Sequence, residues 1–198
     1  MSPGFHRIPA DRYHQDPCVV PSLSNSMAQI LLKESAYKAW HSHPRLNPDY
    51  RDVQDDKFDL GNASHAALLE GEAGGIAVID PANYPSKTGS IPEGWTNTAI
   101  RAARDAARAD GKTPLLKRHH DDVMSMVETA KAFIAKSEIA EAWRDAESEL
   151  TGVCEEGGVW LRSRFDRISK SRRVIVDYKS TEDSSPETFS RLLVRMGY

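Results

Sequence analysis

Polar and apolar positions along the chain change period close to residue 145. Ahead of that point the spacing is helical. "SLSNSMAQILLKESAYKAW" places apolar residues at 27, 30, 31 and 37, with Ser24 or Ser26 available as N-cap. "GNASHAALLEGE" predicts a short helix with Leu68 and Leu69 in its buried stripe. A third helix is expected over 96–110, ending before Gly111, and a longer one over about 118–144. Val123, Val127, Ala130, Phe133 and Ile134 form the apolar stripe of that longer helix. Residues 1–22 predict an extended arm punctuated by proline, and 41–60 a polar loop. The stretch 74–95 supports only a possible strand at 76–79.

Beyond residue 145 the pattern shortens. "ESELTGVC", "GVWLRSRFDRIS" and "RRVIVDYKS" predict three strands joined by the turns "EEG" and "KSR". "SSPETFSRLLVRMGY" then opens a helix, capped by Ser184 or Ser185, with Pro186 in its first turn. Phe189, Leu192, Leu193 and Met196 make its stripe. Helices, a meander and a helix in that order indicate a mixed α/β or α+β arrangement.

The meander carries the chemistry. Asp166 closes the strand "VWLRSRFD" and Asp177 closes the next one. A hairpin turning near 169–172 brings the two carboxylates side by side. Such a pair repels unless a cation lies between, and a hard divalent ion such as Mg²⁺ takes oxygen ligands. Lys179 shares a strand face with Asp177 and is suited to hold a water or a phosphate oxygen. Two acids and a lysine around Mg²⁺ suit metal-assisted phosphodiester hydrolysis. The bland alternative is a surface ion pair of little energetic weight. Glu147 and Glu149, two apart on the first strand, could each add a carboxylate. His65 lies on the short helix among small neighbours, as a further potential ligand of Mg²⁺ or Mn²⁺ or as a core histidine. "HSHP" and "KRHHDD" lack partner acids at ligand spacing.

Charge and composition narrow the class. The 198 residues carry a formal net charge of −3, with 39% apolar and 28% charged residues, which indicates one medium domain with a substantial core. Overall charge does not announce nucleic acid, but local patches do. Arg101, Arg104 and Arg108 recur on one helix face, and Arg162 and Arg164 lie in a second basic stretch, all suited to phosphate contacts. No apolar run reaches the roughly 20 residues of a membrane span. Cys18 and Cys154 lie far apart without CxxC partners, which argues against a disulfide framework, a zinc site or an iron–sulfur cluster and fits a cytoplasmic protein.

"GNASHAALLEG", "SELTGVCEEGGVWLRSRFDRI" and "VIVDYKSTEDSSPETFSRLLVRMGY", in that order, resemble the RecE-like branch of the PD-(D/E)XK nucleases, the phage-type exonucleases allied to the RecB nuclease domain. "YHQDPCVVPSLSNSMAQILLKESAYKAWHSHPRLNP" and "ADGKTPLL" resemble other parts of that group, so the likeness covers nearly the whole chain. It implies a restriction-endonuclease-like α/β fold, a mixed central sheet flanked by helices, as one domain over 1–198. It implies a Mg²⁺- or Mn²⁺-dependent exonuclease that digests linear duplex DNA from 5′ to 3′ in phage or prophage recombination. By matching motif, His65, Asp166 and Asp177 bind metal, the backbone carbonyl of Tyr178 adds a ligand, and Lys179 serves catalysis. Glu149, followed by Leu150 and Thr151, fits the family's first-strand glutamate better than Glu147 does. Double-stranded DNA ends, a ring-shaped homo-oligomer and a single-strand annealing protein are the implied partners.

The family continues past "GY" with a QxxxY-type helical motif. The sequence stops at Tyr198, so the resemblance implies a domain truncated at its C-terminus with the last helix cut. Two alternatives follow: a catalytically incomplete DNA-binding or assembly module of the same fold, or a site-specific endonuclease.

Overall fold

The computed structural model describes residues 1–51, 59–71, 75–181, 183 and 185–196. Seven strands and eight α-helices form among them, in a mixed α/β arrangement whose mixed central sheet is flanked by helices. Contacts divide the chain into two compact units. One comprises Met1–Lys57, Leu69–Gly71 and Glu128–Asp177. The other comprises Phe58–Leu68, Glu72–Val127 and Tyr178–Tyr198.

The first unit is built on the long hairpin of β5 (Ala146–Glu156) and β6 (Val159–Ser169). A two-residue loop joins them, Gly157 and Gly158, with φ of 57° and 79°. Positive φ at both central residues matches the twist of the flanking strands, and glycine reaches it without a Cβ clash. β1 (Gly4–His6) adds antiparallel to β5. β2 (Leu23–Ser24) runs parallel to β6 at Leu161 and Arg162, and β7 (Ile175–Val176) runs antiparallel to it at Arg167 and Ile168. The first 22 residues, expected as an extended arm, thus contribute the three-residue β1 and the short α1 (Ala10–His14), and lead into β2.

After β2, Ser24 accepts the amide of Met27 and starts α2 (Asn25–Lys33). Ser35 then caps α3 (Ala36–His41) by accepting the amide of Lys38. The single helix expected through residue 37 is therefore two. The first closes at Glu34, and a second serine with an extended backbone starts the next.

A buried polar knot fastens this end of the sheet. The Asp16 side chain is fully buried and sits at φ 55°. Its carboxylate accepts the amide and hydroxyl of Ser22 at 2.8 and 2.6 Å. Arg162 from β6 and His43 each approach it to 3.3 Å. Arg162 also donates to the Ser22 carbonyl and hydroxyl at 2.6 and 2.8 Å and covers the Tyr13 ring. Burial in that company raises the Tyr13 phenol above its usual pKa. The Asp16 carboxylate is tolerated here because both its oxygens accept hydrogen bonds, while Nε of Arg162 is buried without a hydrogen-bond partner.

Close packing also marks Gly152 on β5. A Cβ there would meet Cε2 of Phe165 at 2.8 Å, with Phe5 on the far side at 3.6 Å. Gly152→Ala is therefore expected to cost about 1–3 kcal/mol through displacement of the Phe165 ring. Chemical denaturation of the variant checks this, and an unchanged midpoint would contradict it.

The second unit pairs β3 (Ile76–Ile79) with β4 (Thr113–Leu116) in parallel. Between them α5 (Thr98–Ala109) is capped by Asn97, which accepts the amide of Ile100. Ile79, Ile100 and Leu116 form its core, with Tyr84, Trp95 and Ala103 packed around them. α4 (Asp59–Leu69) carries His65. α6 (Lys117–Lys136) buries Val123 and Val127 completely. Phe133, expected in the same stripe, is exposed. It lies roughly 80° around the helix from Val123, whereas Ile134 returns to the apolar face. A separate α7 (Ala140–Arg144) completes the span predicted as one long helix.

α8 (Pro186–Met196) begins with proline, and Ser185 accepts the amide of Thr188. Asp183 braces this start. The Ser185 amide, above all, holds its carboxyl below the usual range, with help from the Thr188 and Ser185 hydroxyls. Ser184, the other candidate cap, and the side chain of Met196 lie outside the described residues.

Candidate metal and nucleic-acid site

The β5–β6 ladder decides which acids face each other. Ser148 pairs with Arg167 and Leu150 with Phe165, so the register sets Glu149 opposite Asp166. The ladder makes no bridge at that one position, where Glu149 turns to φ 57°. A non-glycine residue in this region costs on the order of 1–3 kcal/mol and persists only where its surroundings impose it. A carboxylate oxygen of Glu149 and one of Asp166 lie within 4.8 Å of each other.

Strand β7 extends the row. Arg167 pairs with Val176 and Ile168 with Ile175. One further step along the same register sets Asp166 opposite Asp177, which is exposed just past the strand's end. Half-buried Asp166 thus faces Glu149 across the hairpin, whereas Asp177 lies beyond the last β7 bridge and, among the described residues, does not join Glu149 and Asp166 in a group of ligand atoms within 4.8 Å of one another.

Arginine neutralises part of this charge. Arg164 Nε donates to Glu149, and its Nη1 donates to the Ile8 carbonyl at 2.7 Å. The two side chains are 15% and 14% exposed, so solvent screens the pair only weakly. Glu147 stands differently. It bridges Arg7 and Arg172, each at 2.5 Å, and the Arg172 hydrogen bond in particular lowers its carboxyl below the usual range. That is a surface charge cluster, away from the Asp166 row by two residues of strand.

In the other unit, α4 packs against the chain that follows Asp177. The half-buried His65 ring lies 6.4 Å from that of Tyr178. Gly61, one turn earlier, leaves room for Ser180: a Cβ there would touch its Oγ at 3.4 Å. Small residues on this face let the segment 178–180 approach. Lys179, within that segment, is exposed.

The five arginines expected at phosphates divide. Arg101 is exposed on α5. Arg104 lies over the Trp95 ring and pairs with Asp105 at 2.9 Å. Arg108 binds Asp59 at 2.7 Å and ties α5 to the start of α4. Arg162 is buried in the Asp16 knot, and Arg164 holds Glu149. Their strand face carries buried polar partners, which the count of basic residues could not register. Arg167, on the other face, donates to the Trp143 carbonyl and Ser148 and stacks on the Trp143 ring.

Donor chemistry agrees with a hard divalent ion. Such ions take oxygen ligands at about 2.0–2.6 Å, so two ligands of one ion fall within the separation of Glu149 and Asp166. Neither "HSHP" nor "KRHHDD" joins a group of three potential ligands among the described residues. His43 serves the Asp16 knot instead, its Nδ1 accepting the Arg45 amide at 3.1 Å.

The family model of the PD-(D/E)XK nuclease superfamily matches residues 31–193. The chain belongs to this superfamily. No curated protein and no solved structure matches it. PD-(D/E)XK proteins are nucleases that use divalent metals and bind DNA, and the facing acids of β5 and β6 supply oxygen donors of that kind. Among the described residues, no helix is long and apolar enough to cross a membrane.

Proposed function

We propose that this superfamily member is a Mg²⁺- or Mn²⁺-dependent exonuclease that hydrolyses linear duplex DNA from its 5′ ends. The single observation that carries the metal site is the register-matched pair Glu149 and Asp166 on the hairpin, continued toward Asp177 by β7. Asp166, Asp177 and Glu149 would hold the ion, and the motif resemblance adds His65 and the Tyr178 carbonyl as further ligands of a single nuclease domain. A bound divalent ion supplies Lewis acidity toward the scissile phosphate and an acidified water. Lys179 places its ammonium against that water or a phosphate oxygen and offsets charge developing in the transition state. Arg101 and Arg104 of α5 contact the DNA backbone. Exonuclease polarity, a role in phage or prophage recombination, a cytoplasmic setting, a homo-oligomeric ring and a strand-annealing partner extend this reading on the motif resemblance.

A Mg²⁺ digestion assay tests it. Linear duplex should be degraded and closed circular plasmid left intact, with Lys179→Ala slower by about 10²–10³-fold. Nicking of the closed plasmid would replace the exonuclease with an endonuclease. Equal digestion by wild type and Lys179→Ala would remove the lysine from the mechanism.

A further inference from the structure

We propose that Arg164 is an internal counter-cation that competes with the divalent ion for Glu149. The inference rests on the metal site proposed above and adds a positioning residue to it. Glu149 and Asp166 stand opposite each other with carboxylate oxygens within 4.8 Å, an arrangement that like charges on facing strands oppose. Arg164 lies diagonally beside them on β6 and donates through Nε to Glu149. Its other arm is anchored on the Ile8 carbonyl at 2.7 Å, so the guanidinium is held in place. Both side chains are largely withdrawn from water.

The same guanidinium that lets the two acids coexist also opposes a second cation between them. Binding of the ion and the Arg164 charge are therefore coupled with negative sign, and the coupling is reciprocal. A residue needed only for folding would show no such coupling. It would lower stability equally with and without metal.

Arg164→Gln keeps a hydrogen-bond donor and removes the charge, and Arg164→Met fills the space without either. Calorimetric titration with Mn²⁺ alone should show each binding about ten-fold more tightly than wild type. Mn²⁺ should also raise their melting temperatures by more than it raises that of wild type. Arg164→Lys should restore the wild-type affinity, and in a Glu149→Gln background the Arg164→Gln change should have no effect on it. Variants that fold only when Mn²⁺ is present would equally support the proposal, because the ion then replaces the missing charge. Folded variants with wild-type or weaker affinity overturn it, as do variants that fail to fold in either condition. A wild type that binds no Mn²⁺ fails the metal site itself, a result distinct from a wild type that binds Mn²⁺ no differently from Arg164→Gln.

Discussion

Asp166→Asn is expected to abolish nuclease activity while leaving the fold in place. Asparagine preserves the size of the side chain on β6 and its place between β5 and β7. What it removes is the charge at the centre of the acid row. Glu149 and Asp177 are each one strand away from Asp166, so either could share a cation with it, and its loss takes away the donor common to both. Loss of a centre that stabilises developing charge lowers turnover by about 10³-fold. Mn²⁺-dependent thermal stabilisation should fall with it. Far-ultraviolet circular dichroism distinguishes this from unfolding. Digestion of linear duplex at the wild-type rate by Asp166→Asn would refute the site, whatever happened to metal binding.

Arg162→Ala is expected to destabilise the protein by about 3–5 kcal/mol, the cost of leaving a buried charge without its partner. The Asp16 carboxylate would keep Ser22 and His43 but lose the guanidinium 3.3 Å away, and Tyr13 would lose the cation over its ring. β2 would loosen as well, since Arg162 pairs with Ser24 in the ladder and bonds Ser22 just before it. Urea unfolding measures the loss. A phosphate ligand would behave otherwise: its removal would reduce the salt slope of DNA binding by about one unit and spare the fold. An unchanged denaturation midpoint together with a shallower salt slope would return Arg162 to the DNA interface.

Much of this arrangement is legible in the sequence. The stretches "ESELTGVC" and "GVWLRSRFDRIS" mark β5 and β6, their turn falls at the end of "EEG", on Gly157 and Gly158, and the register of β6 with β7 runs on from Arg167 and Val176 toward Asp166 and Asp177. Ser24, Ser185 and Pro186 sit where capping chemistry puts them. What escapes is short or non-local. β1 and β2 are three and two residues long and exist because a distant strand offers them hydrogen bonds. β4 contains Pro114, which normally argues against a strand, yet it pairs with β3 alone and forms an edge. A basic run does not reveal which arginines face a buried acid. Asp16, sixteen residues into a segment without periodicity, gives no sign that it will pair with Arg162. Nor does the left-handed backbone of Glu149 announce itself, since glutamate has no preference for it.

The glycine turn between β5 and β6 bears on how the chain reaches this state. Two strands joined by a two-residue loop close over short sequence distances, so they begin pairing on the microsecond scale and zip outward from the loop. Zipping from Glu156 and Val159 reaches Glu149 and Asp166 before any remote segment has to arrive. The acid pair thus needs only the hairpin's own register to meet, whereas β1 and β2 need segments remote in sequence.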